Sequence, residues 1–148
     1  MSEIVQYLFN YLEHLNAPIN PRSRNVIPLA DDKIAANIDS FFDDVRGQGI
    51  DLKLNDAFRT NGLQARNTGN SYGGVGYNSS LHEAGFAFDV NWNDLSQAER
   101  TTVLNVAAAH HFQWGGSFQP YDPVHFYVTP QGPRSTVIKA AQDEFWGP

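Results

Sequence analysis

The chain has 148 residues, a formal net charge of −6, 41% hydrophobic and 13% aromatic residues, and no cysteine. That length fits one globular domain with a substantial core and leaves no room for a second. The acidic balance and the lack of any basic run argue against nucleic acid or an anionic membrane surface as partner, and without thiols neither a disulfide framework nor a thiolate metal site can form.

Met1-Ser2-Glu3-Ile4-Val5-Gln6 carries neither the positive region nor the apolar run of a secretory signal, and no stretch approaches membrane-spanning length. The expectation is synthesis in the cytoplasm without a signal peptide, with no membrane insertion. Any export would use another route, and a module cut from a longer parent fits equally.

Ile4, Tyr7, Leu8, Tyr11, Leu12 and Leu15 recur at helical spacing, and Asn16 and Pro18 end the run. A loop tied down by Pro18, Pro21 and Pro28 should follow. A second helix should start near Asp31, with Ile34, Ile38, Phe41, Phe42 and Val45 on its buried face and Gly47 at its end. Residues 1–46 thus read as a helical scaffold.

Ile50, Leu52 and Leu54 alternate with polar residues, as in a half-buried strand. The stretch from Asn67 to Ser80 is rich in Gly, Asn and Ser and reads as a loop on the rim of a cleft. Phe86 to Val90 reads as a strand with Phe86, Phe88 and Val90 on one face and Ala87 and Asp89 on the other. Ser96-Gln97-Ala98-Glu99 is a capping box opening a helix. Gln113-Trp114 and His125 to Val128 are strand-like, and a last helix should span about Ser135 to Phe145. The pattern is α+β: one catalytic domain over 1–148, its motif-bearing core at 50–128, and helices packed on a small, mostly antiparallel sheet.

Two motifs stand out, Ser80-Leu81-His82-Glu83-Ala84-Gly85-Phe86-Ala87-Phe88-Asp89 and Asp122-Pro123-Val124-His125-Phe126. His82, Asp89 and His125 supply two imidazoles and a carboxylate, which on a tetrahedral zinc ion leaves one position open. That is the layout of a catalytic site, not of a closed structural one. Asp122 is placed to take a proton from attacking water without ligating the ion. Arg59, at the end of the strand that begins near Ile50, could neutralise an oxyanion or hold a substrate carboxylate. His110 and His111 read as a favourable pair at a helix C-terminus. Trp114 and Phe118 read as packing, with Tyr121 an open candidate for the cleft wall.

These motifs, with Arg59-Thr60, Gln64 and Phe112-Gln113-Trp114-Gly115-Gly116-Ser117-Phe118, resemble those of one peptidase family. It comprises VanY-like D-alanyl-D-alanine carboxypeptidases, D-Ala-D-Ala dipeptidases and L-alanyl-D-glutamate endolysins, and shares its fold with the Hedgehog signalling domain. The resemblance implies Zn2+ on His82, Asp89 and His125, Asp122 as general base, Arg59 against substrate or transition state, and Ser80 and Gln64 lining the site. Two positions depart from the pattern: His111 stands where Gly is usual, and Tyr127 where Glu is frequent.

The implied function is hydrolysis of peptidoglycan stem peptides, either as a D-Ala carboxypeptidase or as an L-Ala-D-Glu endopeptidase. Action at the cell wall or in the periplasm would follow release or delivery, with an immunity protein or delivery machinery as a further partner. Rival readings are a zinc-containing peptide- or partner-binding module that has lost hydrolysis, and a hydrolase of a free D-dipeptide.

Overall fold

The computed structural model describes residues 11–62, 80–117 and 121–147. The readings for Ile4, Tyr7, Leu8, Gln64, the stretch 67–79 and Phe118 lie outside them.

Leu12–His14 is a strand, β1, paired antiparallel with β2, Leu29–Asp31. The helix expected through Leu15 is therefore corrected over these residues, and the described part of 1–46 holds a two-stranded sheet as well as a helix. Tertiary partners decide it. β2 supplies ladder partners for β1, and the Glu144 carboxylate accepts the N–H groups of Tyr11 and Leu12 at 2.8 Å. Such contacts outweigh a helical period, which is only a weak prior.

Helix α1 spans Ala35–Arg46 and so begins later than Asp31. Asp31 ends β2 instead, its carboxylate accepting the N–H of Lys33 at 2.9 Å. The face made by Ile38, Phe41, Phe42 and Val45 is fully buried, as its spacing predicts. Ile50, Leu52 and Leu54 are all buried too. Regular pairing covers only β3, Leu54–Asp56, shorter than the strand expected from Ile50.

β3 joins β4 (Ala87–Val90), β6 (His125–Tyr127) and β5 (Gln113–Trp114) in an antiparallel sheet of order β3-β4-β6-β5. Helix α2, Gln97–Ala109, opens on the predicted capping box, with reciprocal bonds between Ser96 and Glu99. Helix α3 spans Arg134–Trp146. The fold is α+β.

One face of the sheet builds the core. Phe88 of β4 stacks on Phe126 of β6 at 5.7 Å between centroids, and Phe41 of α1 packs against both. Each such ring contributes about 1.5–3 kcal/mol by leaving water. Strand alternation then places Asp89 and His125 on the opposite face. A smaller cluster of Leu12, Leu29, Phe58 and Ala141 ties β1 and β2 to α3. No helix among the described residues is long and apolar enough to cross a membrane.

Candidate metal centre

The serine motif folds into a single 3-10 turn, Leu81–Ala84. The Ser80 hydroxyl accepts the N–H of His82 at 3.2 Å, and the Glu83 carboxylate accepts the N–H of Ser80 at 2.9 Å. Gly85 ends the turn at φ +78°, where a Cβ would stand 2.8 Å from the backbone nitrogen of Asp31. Left-handed backbone and close approach together call for glycine here. Ser80 thus positions His82 at the start of the run into β4.

Asp89 and His125 are direct cross-strand partners in the β4–β6 ladder. His82 closes a triangle with them. Its Nε2 lies 3.2 Å from Asp89 Oδ1 and 3.2 Å from His125 Nδ1, and His125 Nδ1 lies 3.1 Å from the same Oδ1. Among the described residues these three form the one group of His, Asp or Glu side chains able to hold a metal ion. The side chains are only 3%, 10% and 13% exposed for His82, His125 and Asp89, so water does little to screen them.

This geometry fits a zinc ion. Donor atoms about 2.0–2.1 Å from a tetrahedral ion stand about 3.3 Å apart, close to the observed triangle. The proton on His82 fits as well. Its Nδ1 lies 2.6 Å from the carbonyl oxygen of Ala57, which can only accept, so the proton sits on Nδ1 and the Nε2 lone pair faces the triangle.

The metal-free electrostatics lean the same way. Burial opposes charge on Asp89, yet His82 and His125 hold its carboxyl far below the ordinary carboxylate range. Burial likewise opposes charge on His82, but the Asp89 carboxylate outweighs it and raises the imidazole. Without a metal His82 thus holds its proton more tightly than a free imidazole, and a divalent cation would have to displace it.

Arg59 reaches the centre from the end of β3. Its Nη2 donates to Asp89 Oδ2 at 3.4 Å and its Nε to Asp56 Oδ2 at 2.6 Å. A register shift between Leu54 and Asp56 sets Asp56 opposite Asp89, a way in which strand irregularities re-aim side chains beside active sites.

Asp122 lies on the turn leading into β6. Its N–H donates to the carbonyl of Gly115 at 3.0 Å, and its own carbonyl accepts the N–H of His125 at 3.3 Å. Any Cβ on Gly115 would run into the Asp122 carbonyl oxygen and stand 3.0 Å from His125 Cβ. Trp114 pins the same turn, its Nε1–H donating to the carbonyl of Pro123 at 2.8 Å. The Asp122 carboxylate, half-buried, makes no hydrogen bond to a described residue. Burial and the charge of Asp89 raise its pKa, with His125, His82 and Arg59 partly opposing.

The structure therefore gathers His82, Asp89, His125 and Arg59 in direct contact, with Asp122 in their electrostatic reach. Tyr121 is 62% exposed and meets Trp114 edge-on at 6.2 Å. Tyr127, in the place where Glu is frequent, stacks its ring on His125 at 5.5 Å. His110 and His111 lie elsewhere, the His110 ring bonding Asn37 and Asp44 across α1. Sequence reasoning missed Asp56, the Ala57 carbonyl and the anchoring role of Trp114. The Asp56-to-Arg59 spacing was the one available signal; a carbonyl leaves none.

Residues 74–128 match the family described as D-alanyl-D-alanine carboxypeptidase. The fold is similar to that of the LdcB LD-carboxypeptidase, described as revealing the molecular basis of peptidoglycan recognition. That likeness has a TM-score of 0.62 at 14% identity, over 94% of this chain and 78% of that one. It is similar also to the vancomycin resistance D,D-pentapeptidase VanY, from a VanB-type cassette, in complex with Zn(II). Here the TM-score is 0.53 at 13% identity, over 89% of this chain and 93% of that one. No curated protein sequence matches. The matched stretch takes in His82, Asp89, Asp122 and His125, so the chain is similar to the D-alanyl-D-alanine carboxypeptidase family across the residues of the metal centre.

Proposed function

We propose that the protein is a zinc-dependent peptidase that hydrolyses the stem peptides of peptidoglycan, as a D-Ala carboxypeptidase or an L-Ala-D-Glu endopeptidase. The observation that carries the reading is the buried triangle of His82, Asp89 and His125, with donor atoms 3.1–3.2 Å apart, beside a carboxylate that is no part of it. The substrate class comes from the family and from two similar folds, one tied to peptidoglycan recognition and one holding Zn(II).

In this reading His82 Nε2, Asp89 Oδ1 and His125 Nδ1 hold the ion. Once bound, zinc supplies Lewis acidity, polarising a carbonyl and making water nucleophilic near neutral pH. Asp122 takes the proton of the attacking water and delivers it to the leaving amine nitrogen, so that one carboxylate serves as base and then as acid. Its raised pKa suits a group that must both accept and release a proton. Arg59 keeps Asp89 Oδ2 engaged and sets a positive charge where an oxyanion or a stem carboxylate would lie. Ser80 orients His82, while Tyr121 and Gln64 are proposed substrate contacts. The place of action is the cell wall, reached by release or delivery.

The reading is tested by incubating the protein with intact peptidoglycan, with and without a chelator, and identifying new termini by mass spectrometry. Released D-Ala or a new N-terminal D-Glu, abolished by the chelator and restored by zinc, is the expected result. Products that persist under chelation, or none with zinc present, would overturn it.

A further inference from the structure

Gln142, on α3, is one of few buried polar side chains among the described residues, and it lies in a segment outside the family match. Its Nε2 donates to the carbonyl oxygens of Arg59 and Glu83, both at 2.8 Å, while its Oε1 accepts the N–H of Asn61 at 3.0 Å. The amide can stand only one way round, because reversal would set its oxygen against two carbonyls.

The two segments it joins are those that build the metal centre. One, 57–61, gives Ala57, whose carbonyl takes the His82 Nδ1 proton, and Arg59, which grips Asp89. The other, 80–85, carries His82 itself. Between them run the bond from Arg59 N–H to the His82 carbonyl at 3.0 Å and the contact of the Asn61 side chain with the Glu83 carboxylate. Gln142 closes this seam from the far side, bonding two carbonyls and one N–H across it.

We propose that Gln142 is a positioning residue for the metal centre: by clamping 57–61 to 80–85 it fixes the His82 ring and the Arg59 guanidinium in register with Asp89. The proposal rests on the zinc-binding reading above. It assigns to the C-terminal helix a share in metal affinity, not only in folding. Partners that orient ligands typically change affinity about ten- to a hundredfold when removed. The low end is expected here, since Gln142 acts through backbone.

The test compares Gln142→Met, of similar volume but without a donor, Gln142→Glu, which keeps the acceptor toward Asn61 and sets oxygen against both carbonyls, and Ile138→Ala. Ile138 is a fully buried apolar residue one turn earlier on the same helix, so its truncation loosens α3 while removing none of the three hydrogen bonds of Gln142. Zinc affinity is read by chelator competition, the geometry by the visible spectrum of the cobalt(II) form, and the fold by urea unfolding of each metal-free variant. Both Gln142 variants should lose about tenfold or more in affinity and show a shifted cobalt spectrum, whereas Ile138→Ala should lose stability and keep both.

Affinity and spectrum unchanged in either Gln142 variant overturn the proposal. So does an equal loss of affinity in Ile138→Ala, or a failure of both Gln142 variants to fold while Ile138→Ala folds, since each marks Gln142 as structural only. If the unmodified protein takes up no zinc, the metal-centre reading itself falls, a result distinct from the others.

Discussion

Arg59 holds Asp89 by the carboxylate oxygen that the two imidazoles do not face: Oδ2 accepts from Nη2 at 3.4 Å, and Oδ1 lies 3.1–3.2 Å from His125 and His82. The division of labour has a consequence. With Oδ2 turned to Arg59, Oδ1 is the oxygen that Asp89 presents to the two imidazoles and would present to a metal. Asp56 in turn fixes the guanidinium at 2.6 Å.

Arg59→Ala should therefore lower zinc affinity as well as turnover, by about ten- to a hundredfold in affinity. Arg59→Lys should fall between, since an ammonium cannot span Asp56 and Asp89 as the planar fork does. Chelator competition on the purified variants reads this directly. Full zinc affinity in Arg59→Ala, with only turnover lost, would assign Arg59 to the substrate alone.

Asp122 is expected to behave in the opposite way. Its carboxylate stands outside the triangle, on a turn fixed by the backbone bond from Asp122 N–H to the Gly115 carbonyl and by the Trp114 anchor on Pro123. Asp122→Asn should keep zinc at wild-type affinity and reduce kcat by about 10²–10⁴-fold, the usual range for a lost general base. Metal content by mass spectrometry alongside turnover settles the matter. Loss of zinc from Asp122→Asn would make Asp122 a ligand and the triangle incomplete.

The pH dependence of zinc stabilisation follows from His82. In the metal-free protein its pKa is raised above the ordinary imidazole value, burial being outweighed by Asp89. A raised imidazole contributes stability that is full below the unfolded pKa and is lost as pH rises through the folded one. Zinc needs the neutral ring, so its contribution runs the other way. The difference in melting temperature between zinc-loaded and metal-free protein should thus be small near pH 5 and widen steadily toward pH 8. Thermal scans of both forms across that range test it, and a constant difference would argue against imidazole ligation by His82.

How much of this was legible beforehand depends on whether the deciding physics was local. His82, Asp89 and His125 could be picked out because a turn followed by strand alternation is local, and Phe88 toward the core forces Asp89 away from it. The core face of α1 was legible for the same reason. β1 was not, because Leu12 and Leu15 satisfy a helical period equally well, and the choice was made by distant partners, β2 and Glu144. Asp56 escaped notice because its approach to Asp89 follows from a register shift that no spacing rule encodes. Gln142 escaped because one glutamine on a helix carries no pattern, and its value lies in three backbone groups far along the chain.

His111 shows a departure in sequence that left no trace in geometry. It sits at φ +66° just past the end of α2, with its N–H bonded to Ala108 O at 3.0 Å and that of Phe112 to Ala107 O at 2.9 Å. Those two bonds are the pattern of a left-handed helix stop, where glycine is the usual occupant. A residue with a Cβ pays about 1–2 kcal/mol for that backbone, offset in part by the looser unfolded chain that glycine brings. His111 is exposed and remote from the triangle, so nothing else there depends on its ring. His111→Gly should stabilise the protein by up to about 1 kcal/mol, a rise of about 2–4 °C in Tm for a domain of this size. His111→Ala keeps the Cβ and should show no such gain. Equal melting points for the Gly and Ala variants would mean that the turn stores no strain at this position, and that the Phe112 anchor alone sets the path from α2 into β5.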